Sequence, residues 1–200
     1  MSFIFSSFIA IIFILNIDHN NAQCVLNALS LNDRLAIANP GDVIDFCGEE
    51  SIITTFRSGT PTHPITVRGI GPNAIIRGTL TSGYCVSVGH DWYIFEDFTA
   101  ENCKKGVVVT RASHGYLRRI IVQNIYEEGF KFRDNSQYWL VDSSIARNCG
   151  LRGIYGEGFY VGQANSNWIN GIPDGSAFIT FINCISADNA NDGYNMKEGI

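Results

Sequence analysis

A glycine followed by alternating apolar residues recurs along this chain and restricts what it can fold into. The pattern occurs at Gly83, Gly106, Gly129, Gly158 and Gly193, at intervals of 23, 23, 29 and 35 residues. A second column holds Asn102, Asn124, Asn148 and Asn189, preceded ten residues earlier by Trp92, His114, Tyr138 and Ile179. A period near 23 residues, with insertions of 6 and 12 residues in the later copies, is typical of a solenoid.

The alternation identifies the kind of solenoid. A period of two residues requires strands, and beyond residue 46 no segment has the 3.6-residue period of a helix. A leucine-rich repeat is disfavoured because its L-x-x-L-x-L spacing does not recur. We therefore predict an all-β fold, a right-handed parallel β-helix with about 23 residues and three short strands per coil, whose coils stack ~4.8 Å apart. One sheet should contain the strands 84–88, 106–110, 129–133, 158–162 and 193–197.

The repeated asparagines and glycines have expected roles at the turns. A stacked column of asparagine amides can satisfy backbone groups that a tight bend leaves unpaired. The glycines should relieve the next bend, through a positive φ or through close packing of neighbouring coils.

The amino-terminal segment has the composition of a targeting sequence. Residues 3–17 (FIFSSFIAIIFILNI) form an apolar run that is shorter than a membrane span, and Ala22 offers a small residue for cleavage. We predict a signal peptide at residues 1–22 and a secreted β-helix domain at 23–200; an uncleaved anchor is the alternative. Six cysteines agree with an oxidising compartment, and a Cys24–Cys47 disulfide is predicted. The pairing of Cys85, Cys103, Cys149 and Cys184 stays open.

A short helix should precede the repeats. Ser30 and Asp33 have the S-x-x-D spacing of a helix start, and Leu31 and Leu35 share one face. The turn at residues 40–42 (PGD) ends the helix, and a strand should follow at residues 43–46. The net charge of −5 does not favour binding to a nucleic-acid backbone.

Two stretches carry a resemblance to a known family. Residues 31–44, 58–60 and 64–69 resemble the opening coils of pectate-lyase-like polysaccharide lyases, in which a short helix caps the solenoid. Residues 189–197 (NANDGYNMK) are similar to a segment of some calcium-dependent pectate lyases. The resemblance implies β-elimination on an acidic, uronate-containing polysaccharide. In those enzymes further ligands and the base come from later coils, so we expect that this chain is truncated at its C-terminus.

The alternation also predicts which residues face outward. Val107, Phe130, Phe159 and Tyr194 should point inward, which leaves Lys131, Arg133, Tyr160 and Lys197 on the solvent side. The turn position before the glycine reads Lys105, Glu128, Glu157 and Asp192. A cationic and aromatic strip is therefore expected beside a stack of carboxylates.

This layout suits elimination from a uronate polymer. The reaction needs a cation that neutralises the substrate carboxylate and a base that removes the α-proton. Ca²⁺ prefers six to eight oxygen ligands, for which Asp192, Glu157, Asp188 and Glu128 are the candidates. The related lyases use Lys or Arg as base, which points to Lys197 or Arg133. Lys131 and Tyr160 would line sugar subsites, and Trp168 on the long insertion 162–178 would stack on a sugar.

Other functions remain open from the sequence alone. A solvated charged face is the plain alternative to a site, and the aromatic residues at repeat positions are expected in turns or the core. A non-catalytic β-helix that binds glycans or cell-surface material is the alternative to a lyase, and an inert structural solenoid is a third. We expect a secreted monomer that is not inserted in a membrane after signal cleavage, with an acidic polysaccharide as its partner.

Overall fold

The protein, described here for residues 27–197 by a computed structural model, is a parallel β-helix of six coils after one short helix. Helix α1 spans Leu31–Ile37. The first sheet contains β1 (Val43–Phe46), β4 (Ile65–Gly69), β7 (Tyr93–Glu96), β10 (Ser113–Arg118), β13 (Gln137–Asp142) and β16 (Ala177–Ile182). The second contains β2 (Glu49–Glu50), β5 (Ile75–Arg77), β8 (Thr99–Glu101), β11 (Ile121–Ile125), β14 (Ile145–Cys149) and β17 (Ile185–Ala187). The third contains β3 (Ile53–Thr54), β6 (Tyr84–Val88), β9 (Lys105–Thr110), β12 (Phe130–Arg133), β15 (Phe159–Val161) and β18 (Tyr194–Met196).

The third sheet confirms the predicted stacking of the strands headed by Gly106, Gly129, Gly158 and Gly193. Gly83 is a correction, because Tyr84 pairs with Lys105 and the residue opposite Gly106 is therefore Cys85; Gly83 lies in the preceding turn with φ 71°. Every pairing in it is parallel, and Phe130 lies opposite Val107 on one side and Phe159 on the other. Helix α1 also begins as predicted, because the Ser30 hydroxyl accepts a hydrogen bond from the Asp33 amide at 3.1 Å. Leu31 and Leu35 of this helix are fully buried against the first coil.

The core is a column of apolar side chains inside the coils. Phe130 and Phe159 stack with ring centroids 4.9 Å apart, and Phe132 and Trp139 are also almost completely buried. Tyr194 continues the stack at 4.9 Å but remains 45% exposed, because β18 belongs to the last coil of the described residues. Stacking in register thus places like residues on like and fills the interior with apolar side chains.

The glycine column is explained by close packing of successive coils. A Cβ on Gly106 would lie 2.3 Å from the Gly129 carbonyl oxygen, and one on Gly129 would lie 2.6 Å from the Gly158 oxygen. Both distances are too short for any side chain. Of the two roles predicted for these positions, close approach therefore applies here.

The asparagine column is confirmed in part, with one correction. Asn102, Asn124 and Asn148 all have φ between 52° and 56°, and the Asn148 amide donates to the Asn124 side-chain oxygen at 2.7 Å. The next residue in this column is Asp188 (φ 52°), and not Asn189. Asn189 instead accepts from the Cys149 amide at 3.0 Å. The prediction was one residue out because the insertion in the previous coil shifts the alignment.

The same shift affects the aromatic column. Trp92, His114, Tyr138 and Phe178 stack in turn with their rings within 4° of parallel, so Phe178 takes the place predicted for Ile179. Their backbones have positive φ, and the rings form a stack on the outer surface of the β-helix. Ring faces inside this stack are covered by their neighbours, which confirms a packing role for these repeat-position aromatics.

One disulfide links Cys85 and Cys103, with their Cα atoms 5.6 Å apart. Cys149 and Cys184 are free thiols. Cys47 is disulfide-bonded, but Cys24, its predicted partner, and the predicted signal peptide lie outside the described residues. Over residues 27–197, no helix is long and apolar enough to cross a membrane.

Candidate functional site

The outward face of the third sheet is more buried than the sequence predicts. Lys131 and Tyr160 are 8% and 5% exposed, although both side chains point away from the core as expected. They are covered by neighbouring outward side chains and by the loop that follows β15. The strip predicted to be solvated is therefore the floor of a groove.

This groove has a volume of about 640 Å³. The predicted residues Lys131, Arg133, Tyr160, Lys197, Glu128 and Glu157 all line it. Lys104, Lys105 and Tyr155 line it as well, and Gln163, Ala164, Ser166 and Asn167 of the insertion form one wall. The groove thus gathers five cationic side chains in a chain whose net charge is −5.

Tyr160 lies between two lysine side chains. Lys131 Nζ is 4.3 Å from the centroid of the Tyr160 ring, and Lys197 Nζ is 5.2 Å from it. This arrangement follows from the register, because Lys131, Tyr160 and Asn195 are opposite one another on β12, β15 and β18, with Lys197 two residues further. Attraction between the ammonium group and the ring face stabilises the Lys131 contact.

Arg133 lies on the same strand as Lys131, one outward position further along. Its Nε donates to the Thr110 hydroxyl at 3.2 Å, and it is 3.9 Å from the Asp134 carboxylate. The guanidinium is half-buried and lines the groove. It is therefore placed to donate to a carboxylate that enters.

Glu128 is the most strongly perturbed carboxyl group at the site. Burial would raise its pKa, but Lys131 and Lys105 more than offset this and hold the pKa at about 2. Lys131 Nζ donates to Glu128 Oε1 at 2.6 Å, and Lys105 Nζ donates to Oε2. Burial lowers the pKa of Lys131, against the opposing effect of Glu128. At neutral pH these groups form a charged, buried network.

The other predicted site residues are placed less centrally. Glu157 is buried and accepts from the Gly156 amide at 3.2 Å and the Asn191 side chain at 3.0 Å. Asp192 accepts from Asn195 at 2.7 Å, and Asp188 lies exposed in the asparagine column. Trp168 is half-buried, donates to the Gln163 carbonyl at 3.1 Å and lines a separate cavity of about 240 Å³ on the other side of the loop.

Comparison with known proteins places this fold. An alginate lyase from Paenibacillus sp. str. FPU-7 has a similar structure, with a TM-score of 0.68, 28% identity, and coverage of 76% of this chain. Pectate lyase Pel9A also matches, with a TM-score of 0.68, 19% identity and coverage of 84%. The protein resembles the pectate-lyase-like β-helix polysaccharide lyases. The sequence matches no family model and no curated protein.

The chain spans about half the length of these two structures, 54% of the alginate lyase and 44% of the pectate lyase. The architecture that the three share is the right-handed parallel β-helix with three parallel sheets. This confirms the fold and the resemblance predicted from the repeats and the two motif stretches.

The residues present in this groove do not fit a calcium ion. Both Glu128 oxygens accept from lysines, and Glu157 and Asp192 accept from amides. Within residues 27–197, no three acidic, histidine or cysteine side chains are grouped to hold a metal. Ca²⁺ needs six to eight oxygen ligands, which these carboxylates do not supply while they accept from their present partners.

Several groove residues escaped the sequence analysis. Glu127 accepts from Lys105 Nζ at 2.7 Å and from Arg152 at 2.8 Å, and Tyr155 and Gln163 line the groove. Tyr155 and Arg152 lie in the shorter insertion and Gln163 in the longer one, so no repeat column predicts their positions. The sequence offers one signal for Glu127: it directly precedes Glu128 at the turn before the repeat glycine Gly129.

Proposed function

We propose that this protein is a polysaccharide lyase that cleaves an acidic, uronate-containing polysaccharide by β-elimination in the groove of the third sheet. The observation that carries the proposal is the placement of Lys131 and Lys197 on either side of Tyr160. An aromatic hydroxyl, an amine and further cations in one groove are the groups that such an elimination needs.

The first requirement is neutralisation of the substrate carboxylate. A uronate C5 proton becomes acidic only when the adjacent carboxylate charge is balanced, because the intermediate carries a second negative charge. In this proposal Arg133 donates to that carboxylate and Lys131 supplies a nearby fixed charge. Glu128 keeps Lys131 protonated by lying 2.6 Å from its Nζ.

The second requirement is a pair of groups that move protons. Neutral Lys197 removes the C5 proton, the C4–O bond breaks as the C4=C5 double bond forms, and the Tyr160 hydroxyl protonates the leaving oxygen. Lys197 ends as an ammonium and Tyr160 as a phenolate. The starting state returns when the Lys197 ammonium loses its proton to solvent and the Tyr160 phenolate regains one from solvent.

The comparisons support this class of reaction. Both similar structures are polysaccharide lyases, one named for alginate and the other for pectate. The alginate lyase has the higher identity, so we propose alginate as the first substrate to test and polygalacturonate as the second. We also propose that the protein is secreted, which agrees with the Cys85–Cys103 disulfide and with the size of such polymers.

Turnover of these two polymers tests the proposal. The double bond formed next to a carboxylate absorbs near-ultraviolet light, so purified protein should increase the absorbance of one polyuronate and not of a neutral glucan. Tyr160→Phe, which keeps the ring and removes the hydroxyl, should lower the rate by about 10²-fold or more. Binding of polyuronate with no absorbance change would support the non-catalytic glycan-binding alternative. Absence of both binding and turnover would leave a structural solenoid.

A further inference from the structure

A buried cluster of charged side chains lies beneath one end of the groove. Its members are Lys105, Glu127, Glu128 and Lys131, each no more than 9% exposed. Burying four charges is costly unless each is paired, so the ion pairs show which carboxylate holds which cation.

The two adjacent glutamates have different partners. Glu128 accepts from both Lys105 and Lys131. Glu127 accepts from Lys105 at 2.7 Å and from Arg152 at 2.8 Å. Among the described contacts, Glu128 alone therefore links the cluster to Lys131, whose Nζ lies against the Tyr160 ring.

We propose that Glu128 is a positioning residue, whose carboxylate holds the Lys131 ammonium in place against Tyr160 for the elimination step. This inference rests on the proposed function. It differs from the predicted role of Glu128 as a calcium ligand, because here both carboxylate oxygens are used to hold lysines.

This contact, in which Glu128 holds Lys131 against Tyr160, is called the clamp because of what it does. The need for it follows from the properties of lysine. The ammonium group is carried on a flexible chain of four carbons, and because it is strongly hydrated it prefers bulk water to a buried position. Lys105 also repels Lys131, because both ammonium groups contact the same carboxylate. Without the Glu128 charge, Lys131 is expected to leave the ring and extend into the groove.

The clamp makes a prediction that distinguishes it from a binding role. Replacing Glu128 with glutamine makes the groove more positive, so binding of a polyanion is not weakened. If Glu128 positions Lys131, then Glu128→Gln should lower kcat about 10- to 100-fold and leave KM within about threefold. A loss of groove charge or shape would instead raise KM.

Glu96→Gln is the matched control, because it removes another buried carboxylate, which pairs with Arg118 on the first sheet and is not one of the residues that line the groove. It should keep kcat within about threefold of the wild type. In a Lys131→Met background, Glu128→Gln should have no further effect on kcat, since it acts through Lys131. An equal loss from Glu96→Gln, or a full additional loss in the Lys131→Met background, would overturn the proposal.

A second measurement is independent of turnover. Acylation of lysines followed by mass spectrometry should find Lys131 protected in the wild type and in Glu96→Gln, and modified at least fivefold faster in Glu128→Gln. Should Glu128→Gln fail to fold, Glu128→Asp, which withdraws the carboxylate by one methylene, should lower kcat at least threefold and increase the labelling. If Lys131 is acylated at the wild-type rate in the folded Glu128 variants, the proposal is refuted. Absence of wild-type turnover on all polyuronates would refute the proposed function, while the labelling result would still decide the clamp.

Discussion

The outward faces of the first and third sheets carry their charges in different ways. On the first sheet one column reads Asp45, Arg68, Glu96, Arg118 and Asp142, with a change of sign at every coil. Arg68 contacts Asp45 with two hydrogen bonds of 2.8 and 2.9 Å, and Arg118 pairs with Glu96. On the third sheet the two columns read Val108, Lys131, Tyr160, Asn195 and Thr110, Arg133, Gly162, Lys197.

The difference follows from the spacing of the coils. Residues in one column lie about 4.8 Å apart, so like charges on adjacent coils repel unless they alternate or are compensated. The first sheet solves this by alternation, and its charges neutralise one another. The third sheet separates its cations with neutral residues and compensates Lys131 from the turn through Glu128. Arg133 is left available for an anionic ligand, and Lys197 for the role of base.

The largest expected effect is the loss of turnover when the proposed base on the third sheet is removed. Lys197→Met should lower kcat/KM on the polyuronate substrate by about 10²- to 10⁴-fold, because it removes the proposed base. Arg147→Met on the second sheet is the control, since Arg147 is exposed and contacts the Gln123 side chain at 2.6 and 2.9 Å. It should change the rate less than twofold. Similar losses in the two variants, measured by product absorbance, would remove the distinction between the faces.

Acid should affect the buried network of the third sheet next. Glu128 has a pKa of about 2 in the folded protein, below the ordinary 4.5, so its contribution is complete above about pH 4.5. That contribution is lost as the pH falls from 4.5 towards 2, and its size is a few kcal/mol. The free energy of unfolding of the wild type, measured with urea, should therefore decrease as the pH falls through this range.

Glu128→Gln separates this contribution from the other carboxyl groups. The variant should be less stable at pH 7 and should lose less stability on acidification, so the two curves converge near pH 2. Parallel curves over the whole range would show that the acid sensitivity comes from elsewhere, such as the exposed pairs of the first sheet.

The repeated part of the molecule could be predicted from the sequence. Columns at Gly106, Gly129 and Gly158 gave the strands and their register, because each coil must place its residues above those of the coil before. The alternation then gave the outward positions of Lys131, Arg133, Tyr160 and Lys197.

The rest of the site depends on parts of the chain that do not repeat. The wall that includes Gln163 comes from an insertion, and Arg152, which anchors Glu127, comes from a second one. The hydrogen-bond partners of Glu128 could not be predicted from the sequence either, because a buried carboxylate at that turn is equally compatible with two lysines and with a metal ion. The insertion before Phe178 likewise displaced two predicted columns by one residue.

A smaller effect is expected from breaking an alternating pair on the first sheet. Arg68 and Asp45 have side chains that are 40% and 45% exposed, and pairs of this kind contribute about 0.2–1 kcal/mol. A double-mutant cycle with Arg68→Gln and Asp45→Asn should give a coupling energy in that range. The coupling should decrease in 1 M salt, where exposed charges are screened. A coupling of several kcal/mol that is insensitive to salt would mean that the ladder behaves like the buried network.

The smallest expected effect is that of removing divalent cations. If the groove neutralises the substrate with its own Arg133 and Lys131, turnover should change less than twofold when EDTA is added, and calcium should not restore any lost activity. The Lys197→Met and Glu128→Gln variants should be equally insensitive. The opposite result would assign the charge neutralisation to an imported ion. In that case the carboxylates of Asp192 and Glu157 would have to exchange their present amide partners for calcium, and Asp192→Asn should then abolish the activity that calcium supports. The EDTA experiment therefore decides whether the cations of the third sheet are sufficient by themselves, which is the property that distinguishes this face from the self-neutralised ladder of the first sheet.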